Sequence, residues 1–205
     1  MKIYYDTEFV EDGLTIDLIS IGLVAEDGRE YYAVCNDSWA VQRAVEHPWL
    51  SVNVVPHLPV KVGEVPGGMR IVTRRDGRWV GFDSRWDWDP DHPDFVSVKP
   101  RAQIAAEVQR FILATPDPQL WVWYAAYDHV ALCQLWGRMI DLPPEVPMFT
   151  CDLKQECVRL GNPRVPVQVS GAHNALADAR HNRVIDRFLF NVDFCPADHH
   201  YEWEE

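Results

Sequence analysis

The sequence predicts an α/β fold, a mixed β-sheet with helices packed on it. Three apolar, strand-like runs follow one another at the N-terminus, separated by turn residues. A fourth run, Leu120-Trp121-Val122-Trp123-Tyr124, lies far downstream between segments with helical periodicity. Strands first in a meander, then interleaved with helices, suit this class. A length of 205 residues suits one domain spanning 1–205, with residues 60–95 as an insertion and 191–205 as a polar tail.

Met1 to Phe9 opens with a short apolar run that ends in Asp6-Thr7-Glu8. Val10-Glu11-Asp12-Gly13 is a turn by composition, and Ile16 to Ala25 is the second strand. Glu26-Asp27-Gly28-Arg29 carries an Asp-Gly turn signal before a third strand, Glu30 to Val34. Ser38 is the expected cap of a helix running toward His47, and Pro48 interrupts it. Trp49 to Leu58 is a second helical piece. Within the insertion, Ile71 to Val80 reads as a β-hairpin on Asp76-Gly77. Arg101 to Leu113 has helix spacing, and Pro116 and Pro118 close it. Tyr127 to Trp136 and Cys151 to Leu160 are helices. The last helix starts at His173 or Asn174 and runs to about Phe190, with Ala177, Val184, Ile185, Phe188 and Leu189 as its packing face.

An apolar fraction of 47% and nine tryptophans argue for a folded protein. The net charge of −12 argues against holding long duplex DNA by broad phosphate neutralisation. It leaves room for an enzyme that grips a few nucleotides through metal ions, which supply the local positive charge. From Lys61 to Arg85 there are six Lys/Arg against three Asp/Glu, in a chain otherwise acidic. That strip is either a solvated loop or a surface for the substrate backbone or a partner subunit. Cys35, Cys133, Cys151, Cys157 and Cys195 make an odd set with no Cys-x-x-Cys, which suits free thiols in a reducing cytosol. With no basic, apolar leader and no apolar run near about 18 residues, a cytoplasmic protein without a membrane span is expected.

The chemistry gathers at three places. Strand side chains alternate, so Asp6 and Glu8 point the same way and repel unless a cation lies between them. Mg²⁺ or Mn²⁺ prefers such hard oxygens. Asp128 follows the interior strand, at the rim of the sheet where α/β sites form. His173 and Asp178 are five apart, about 140° on an ideal helix, so they do not stack. With His173 at the helix entry and Asp178 one turn in, they flank one pocket. Four carboxylates and an imidazole suit hydrolysis of a phosphodiester by two metal ions about 3.5–4 Å apart. An imidazole with an ordinary pKa of about 6.5 can take a proton from water near neutral pH. His129 points elsewhere on its helix and is left out of the site. Cys195, Asp198, His199 and His200 match no usual zinc spacing, and Cys151 and Cys157 read as packing residues.

Asp-x-Glu on the first strand, Asp after an interior strand and His-x-x-x-x-Asp near the C-terminus resemble the DEDDh exonucleases, in the branch with His rather than Tyr. These are 3′-to-5′ exonucleases with a ribonuclease-H-like fold. Tyr5 to Gly13, Ser20 to Val34 and Ala126 to Gly137 are further similar to the mycobacterial ribonuclease AS family of polyadenylate-specific exoribonucleases. The similarity covers roughly residues 1–35 and 100–190; the insertion and the tail depart from that pattern.

The resemblance implies a homodimer that uses two Mg²⁺ or Mn²⁺ ions to trim single-stranded RNA from the 3′ end, releasing nucleoside 5′-monophosphates. It implies Asp6 bridging both metals, Glu8 and Asp178 at the water-activating metal, Asp128 at the other, and His173 as general base. It places Thr7 and Phe9 against the substrate, Phe9 stacking on the terminal base; a core Phe at a strand end is the equal alternative. A single-stranded DNA exonuclease of the proofreading type and a catalytically silent nucleic-acid-binding module are the competing functions.

Overall fold

A computed structural model describes residues 1–74 and 77–194, and side chains outside 64–84 and 194. The chain opens as the predicted meander of β1 (Lys2–Glu11), β2 (Ile16–Ala25) and β3 (Glu30–Cys35). Its two turns carry Gly13 at φ 84° and Gly28 at φ 95°, conformations that only glycine adopts without strain. Asp12 reinforces the first turn by accepting the N–H groups of Leu14 and Thr15.

Helix α1 (Ser38–Glu46) follows, with Asp37 rather than Ser38 as its cap: the Asp37 carboxylate accepts the Trp39 and Ala40 N–H groups. The second helical piece is split into α2 (Leu50–Asn53) and a 3-10 turn, Val55–His57. The hairpin expected at residues 71–80 is longer, β4 (Val60–Arg74) with β5 (Gly77–Trp88), a two-stranded sheet of its own. Of its turn, Arg75 and Asp76 lie outside the described residues. Its base is fastened to α1 by the Trp86 indole, which donates to Gln42 Oε1 at 2.8 Å.

A two-residue strand, β6 (Val98–Lys99), leads into α3 (Arg101–Leu113). Strand β7 (Gln119–Val122) ends before Tyr124, whose φ of 59° turns the chain into α4 (Ala125–Cys133). The expected helix from Cys151 starts instead as strand β8 (Cys151–Asp152), with Asp152 capping α5 (Leu153–Arg159). The last helix, α6 (Ala175–Phe194), outruns the expected end at Phe190; residues 195–205 lie outside the described residues.

The main sheet has the order β6-β3-β2-β1-β7-β8. Strand β2 runs antiparallel to β1 and β3, and the other three pairings are parallel. Ile3, Tyr5, Ile21 and Leu23 pack one face against α3 and α4, through Ile104, Val108, Ile112 and Leu132. Val10, Ile19 and Val34 pack the opposite face against α1. Helix α6 lies on that second face. Its buried stripe is Ala175, Ala179, Asn182, Ile185, Asp186 and Leu189, whereas Val184, expected inside, is exposed. Two polar side chains are tolerated in this stripe because both are satisfied. Asp186 accepts the Tyr4 hydroxyl and Lys2 Nζ, each at 2.7 Å, and Asn182 bonds the sheet.

Candidate active site

The site lies where β1 outruns its neighbour. Parallel pairing of β1 with β7 covers only Lys2 to Tyr4, and β7 ends at Val122. The backbone of Tyr5 and Thr7 on that edge needs other partners. Asn182 of α6 donates its Nδ2 to the Tyr5 carbonyl at 2.9 Å. Asp128, in the first turn of α4, accepts the Thr7 N–H at 2.9 Å and the Thr7 hydroxyl at 2.7 Å, both through Oδ1. The edge of β1 therefore fastens a helix from each face of the sheet, and one fastener is an expected site residue.

On the other edge of β1, Asp6 pairs with Gly22 and Glu8 with Ser20. Gly22 lets the start of α6 lie directly on β2. A Cβ there would sit 2.4 Å from the Ala175 carbonyl oxygen and 2.5 Å from Leu176 Cα, distances that real Cβ atoms do not reach. This approach carries Asp178, in the first turn of α6, toward Asp6 and Glu8. Asn174 rather than His173 caps the helix, accepting the Ala177 N–H. His173 sits just outside it with φ 67°, a left-handed turn that folds its N–H onto Asp178 Oδ2 at 2.9 Å. Asp178 Oδ1 accepts Gln168 Nε2 at 2.6 Å.

Donor atoms of Glu8, His173 and Asp178 all lie within 4.8 Å of one another. Asp6 and Asp128 belong to the same electrostatic cluster. The Asp6 carboxyl is held well above the ordinary range by burial, then by the charges of Asp128, Glu8 and Asp178. Burial, then Asp178 and Asp128, push Glu8 up to about 8. Asp128 rises to about 6 through burial, despite the two bonds from Thr7. Asp178 is also raised by burial, opposed by its bonds to Gln168 and the His173 N–H. Buried carboxyl groups whose charges push Asp6, Glu8 and Asp128 up are a poor arrangement for a bare protein. They are a good one for divalent cations, whose charge reverses each of these effects. The carboxylate oxygens gathered here are hard donors of the kind Mg²⁺ or Mn²⁺ takes.

Thr7, expected at the substrate, is 4% exposed, and its hydroxyl is committed to Asp128. Phe9 is half-buried against the core, and its ring stacks on Tyr127 with centroids 6.0 Å apart and planes 13° apart. His129 lies apart, with Nε2 2.9 Å from the Met148 carbonyl oxygen. Gln168, Asn182, Gly22 and Trp49, whose ring meets that of His173, join the site without a local signal in the sequence. Cys35, Cys133, Cys151 and Cys157 are free thiols. Cys195, Asp198, His199 and His200 lie outside the described residues. No described helix is long and apolar enough to cross a membrane.

Fold and site together define a helix-flanked α/β protein with an acidic cluster and a histidine at the rim of its central sheet. No protein-family model matches the chain. It is 41% identical over 195 residues to a 3′-5′ exoribonuclease of Mycobacterium tuberculosis strain CDC 1551 / Oshkosh, covering 94% of this chain and 95% of that protein. The same identity and coverage hold for a 3′-5′ exoribonuclease of M. tuberculosis strain H37Rv. The chain belongs to this family of 3′-5′ exoribonucleases.

Proposed function

We propose that the protein is a metal-dependent 3′-5′ exoribonuclease of the DEDDh type, removing nucleoside 5′-monophosphates from single-stranded RNA. The observation that carries this is the convergence of Glu8, Asp178 and His173 within 4.8 Å, with Asp6 and Asp128 in the same electrostatic cluster at one end of β1. The names of the curated relatives support RNA as substrate and the 3′ end as the point of attack. The strand order β3-β2-β1-β7-β8, with β2 alone reversed, supports a ribonuclease-H-like reading of the sheet.

In this reading Asp6, Glu8, Asp128 and Asp178 would hold two Mg²⁺ or Mn²⁺ ions. When bound, the ions supply positive charge for the attacking water and for the oxygen that leaves. Glu8 and Asp178 would hold the ion that activates the water, Asp128 would hold the other, and Asp6 would contribute to both. Thr7 keeps Asp128 turned toward the cluster through its N–H and hydroxyl. Gln168 and the His173 N–H each take one Asp178 oxygen and so fix the plane of that carboxylate. The His173 ring takes the proton of the attacking water. Phe9 and Tyr127 present a stacked aromatic edge beside Asp128, suited to contact with a terminal base. We further read the protein as a cytoplasmic homodimer. Light scattering that returns a monomer mass refutes the dimer.

The test uses 5′-labelled single-stranded RNA and DNA of one sequence, with Mg²⁺, Mn²⁺ or chelator. A metal-dependent ladder shortening from the 3′ end of RNA is the expected result. A ladder on DNA alone moves the assignment to a DNA exonuclease. No ladder on either, with metal bound, refutes the nuclease reading.

A further inference from the structure

Asp178 is tied down at both oxygens, but the hydrogen bond at His173 is made by its backbone N–H and leaves the ring to other contacts. Its position in a left-handed turn just outside α6 also frees it from the helical packing that restricts side-chain rotamers. What meets the ring is Trp49, with centroids 4.7 Å apart and planes 77° apart, an edge-to-face contact.

Trp49 comes from a distant part of the chain, the joint between α1 and α2, and its backbone is anchored on both sides. Its N–H donates to His47 Nδ1 at 3.2 Å. Its carbonyl accepts the Asn53 N–H at 3.1 Å and Asn53 Nδ2 at 2.8 Å. Leu50, the next residue, is buried in the core beneath α1. The indole is thus mounted on a fixed support, yet remains 47% exposed. Burial of that kind is weak for a core tryptophan. A second role explains why the ring is placed over the site rather than folded into the apolar cluster below it.

We propose that Trp49 is a positioning residue for the reaction, holding the His173 imidazole over the carboxylate cluster so that a ring nitrogen faces the attacking water. This rests on the reading of His173 as the general base. Loss of the indole leaves the His173 ring free to leave that orientation, and a misplacement of about 1 Å costs on the order of 10²-fold in rate. Orienting the general base acts on the chemical step, so the loss falls on kcat.

The test uses the full chain with Trp49→Leu, Trp49→Phe, His173→Ala and the Trp49→Leu/His173→Ala double variant. Steady-state cleavage of labelled RNA with Mg²⁺ is expected to show kcat down about 10–100-fold in Trp49→Leu, with KM within about twofold. Trp49→Phe, which keeps an aromatic edge, is expected to recover most of that loss. The double variant is expected to be no slower than His173→Ala, because residues that act through one another are not additive. An independent readout is the proton NMR signal of the His173 ring in chelated protein, assigned by its absence in His173→Ala. Its indole ring-current shift should vanish in Trp49→Leu.

A raised KM with unchanged kcat in Trp49→Leu overturns the inference and makes Trp49 a substrate contact. An unmoved His173 signal, or further slowing in the double variant, also overturns it. His173→Ala with full kcat refutes the general-base reading itself, and the inference falls with it.

Discussion

Replacing Gly22 with alanine tests how the site is assembled. The added Cβ would lie 2.4 Å from the Ala175 oxygen, 2.5 Å from the Ala175 carbonyl carbon and 2.5 Å from Leu176 Cα. Comfortable contacts between such atoms fall at about 3.5–4.0 Å, so roughly 1 Å of separation is missing. All three obstacles are backbone atoms of the first turn of α6, and no side-chain rotation can relieve them. Either α6 lifts from the sheet or β2 is displaced beside Asp6, its partner in register.

Overpacking of this kind costs about 1–3 kcal/mol, or roughly 2–12 °C of melting temperature for a chain of this size. Asp178 and His173 ride on the moving turn, so activity should suffer more than stability, with kcat/KM down about 100-fold. The assay pairs RNA cleavage with a thermal melt followed by circular dichroism. Gly63→Ala is the control, since a Cβ there would meet only the Arg85 oxygen at an ordinary 3.8 Å. A Gly22→Ala protein with activity within about threefold of the parent refutes the claim that close approach of α6 builds the site. A protein that fails to melt cooperatively shows general misfolding instead, and Gly22→Ala is then assayed below its melting temperature beside Gly63→Ala.

Asp6→Asn and Asp178→Asn should each lower kcat by at least about 10³-fold while leaving a cooperative melt, and full activity in either removes the metal-ion mechanism. Chelated protein should lose stability as pH rises from about 4.5 to 8. Glu8 and Asp128 are raised to about 8 and about 6, so the folded state holds more protons than the unfolded state in this window. Glu107, lowered to about 2, acts with opposite sign but only below its unfolded value of 4.5, outside that window. A melting temperature that stays flat or rises from pH 5 to pH 8 contradicts this, as does Mg²⁺ giving no more protection at pH 8 than at pH 5. Asn182→Ala leaves the Tyr5 carbonyl without its buried donor and should cost about 1–3 kcal/mol by urea unfolding, with a drop in activity as α6 loosens. A change under about 0.5 kcal/mol counts against that role.

The parts of the site legible in the sequence share a property: local geometry is enough to place them. Period-two alternation puts Asp6 and Glu8 on one face of β1 wherever the strand lies. A strand-to-helix junction puts Asp128 at the rim, and a capped helix start sets His173 against Asp178. The parts not legible depend on distant segments meeting. Gly22 matters only because α6, some 150 residues later, crosses β2 at that point. Gln168 lies in a stretch without periodicity and is recognised only by the Asp178 oxygen it meets. Val184 was expected inside α6 because apolar residues usually are. Asn182 and Asp186 take the interior stripe because the free edge of β1 and the Tyr4–Lys2 pair offer them partners. Strands β6 and β8, two residues each, are too short for any period to show.

The arrangement also says which distances in the site are rigid. Thr7 sits between Asp6 and Glu8 and binds Asp128 with its own backbone and hydroxyl. Three consecutive residues of one strand therefore fix three of the four carboxylates, and the repeat of the strand, about 3.4 Å per residue, sets their spacing. Asp178 and His173 arrive on a separate body, α6 with the loop before it, joined to the strand through Asn182 and the contact at Gly22. Where these groups ionise, their repulsion acts across this seam and opposes the approach of α6 to β1. Cations between Glu8 and Asp178 would turn that repulsion into attraction. The two bodies should thus be drawn together when metal binds. Hydrogen exchange at the first turn of α6 should slow with Mg²⁺ by a larger factor than exchange in β1, and equal slowing at both places would contradict the two-body description.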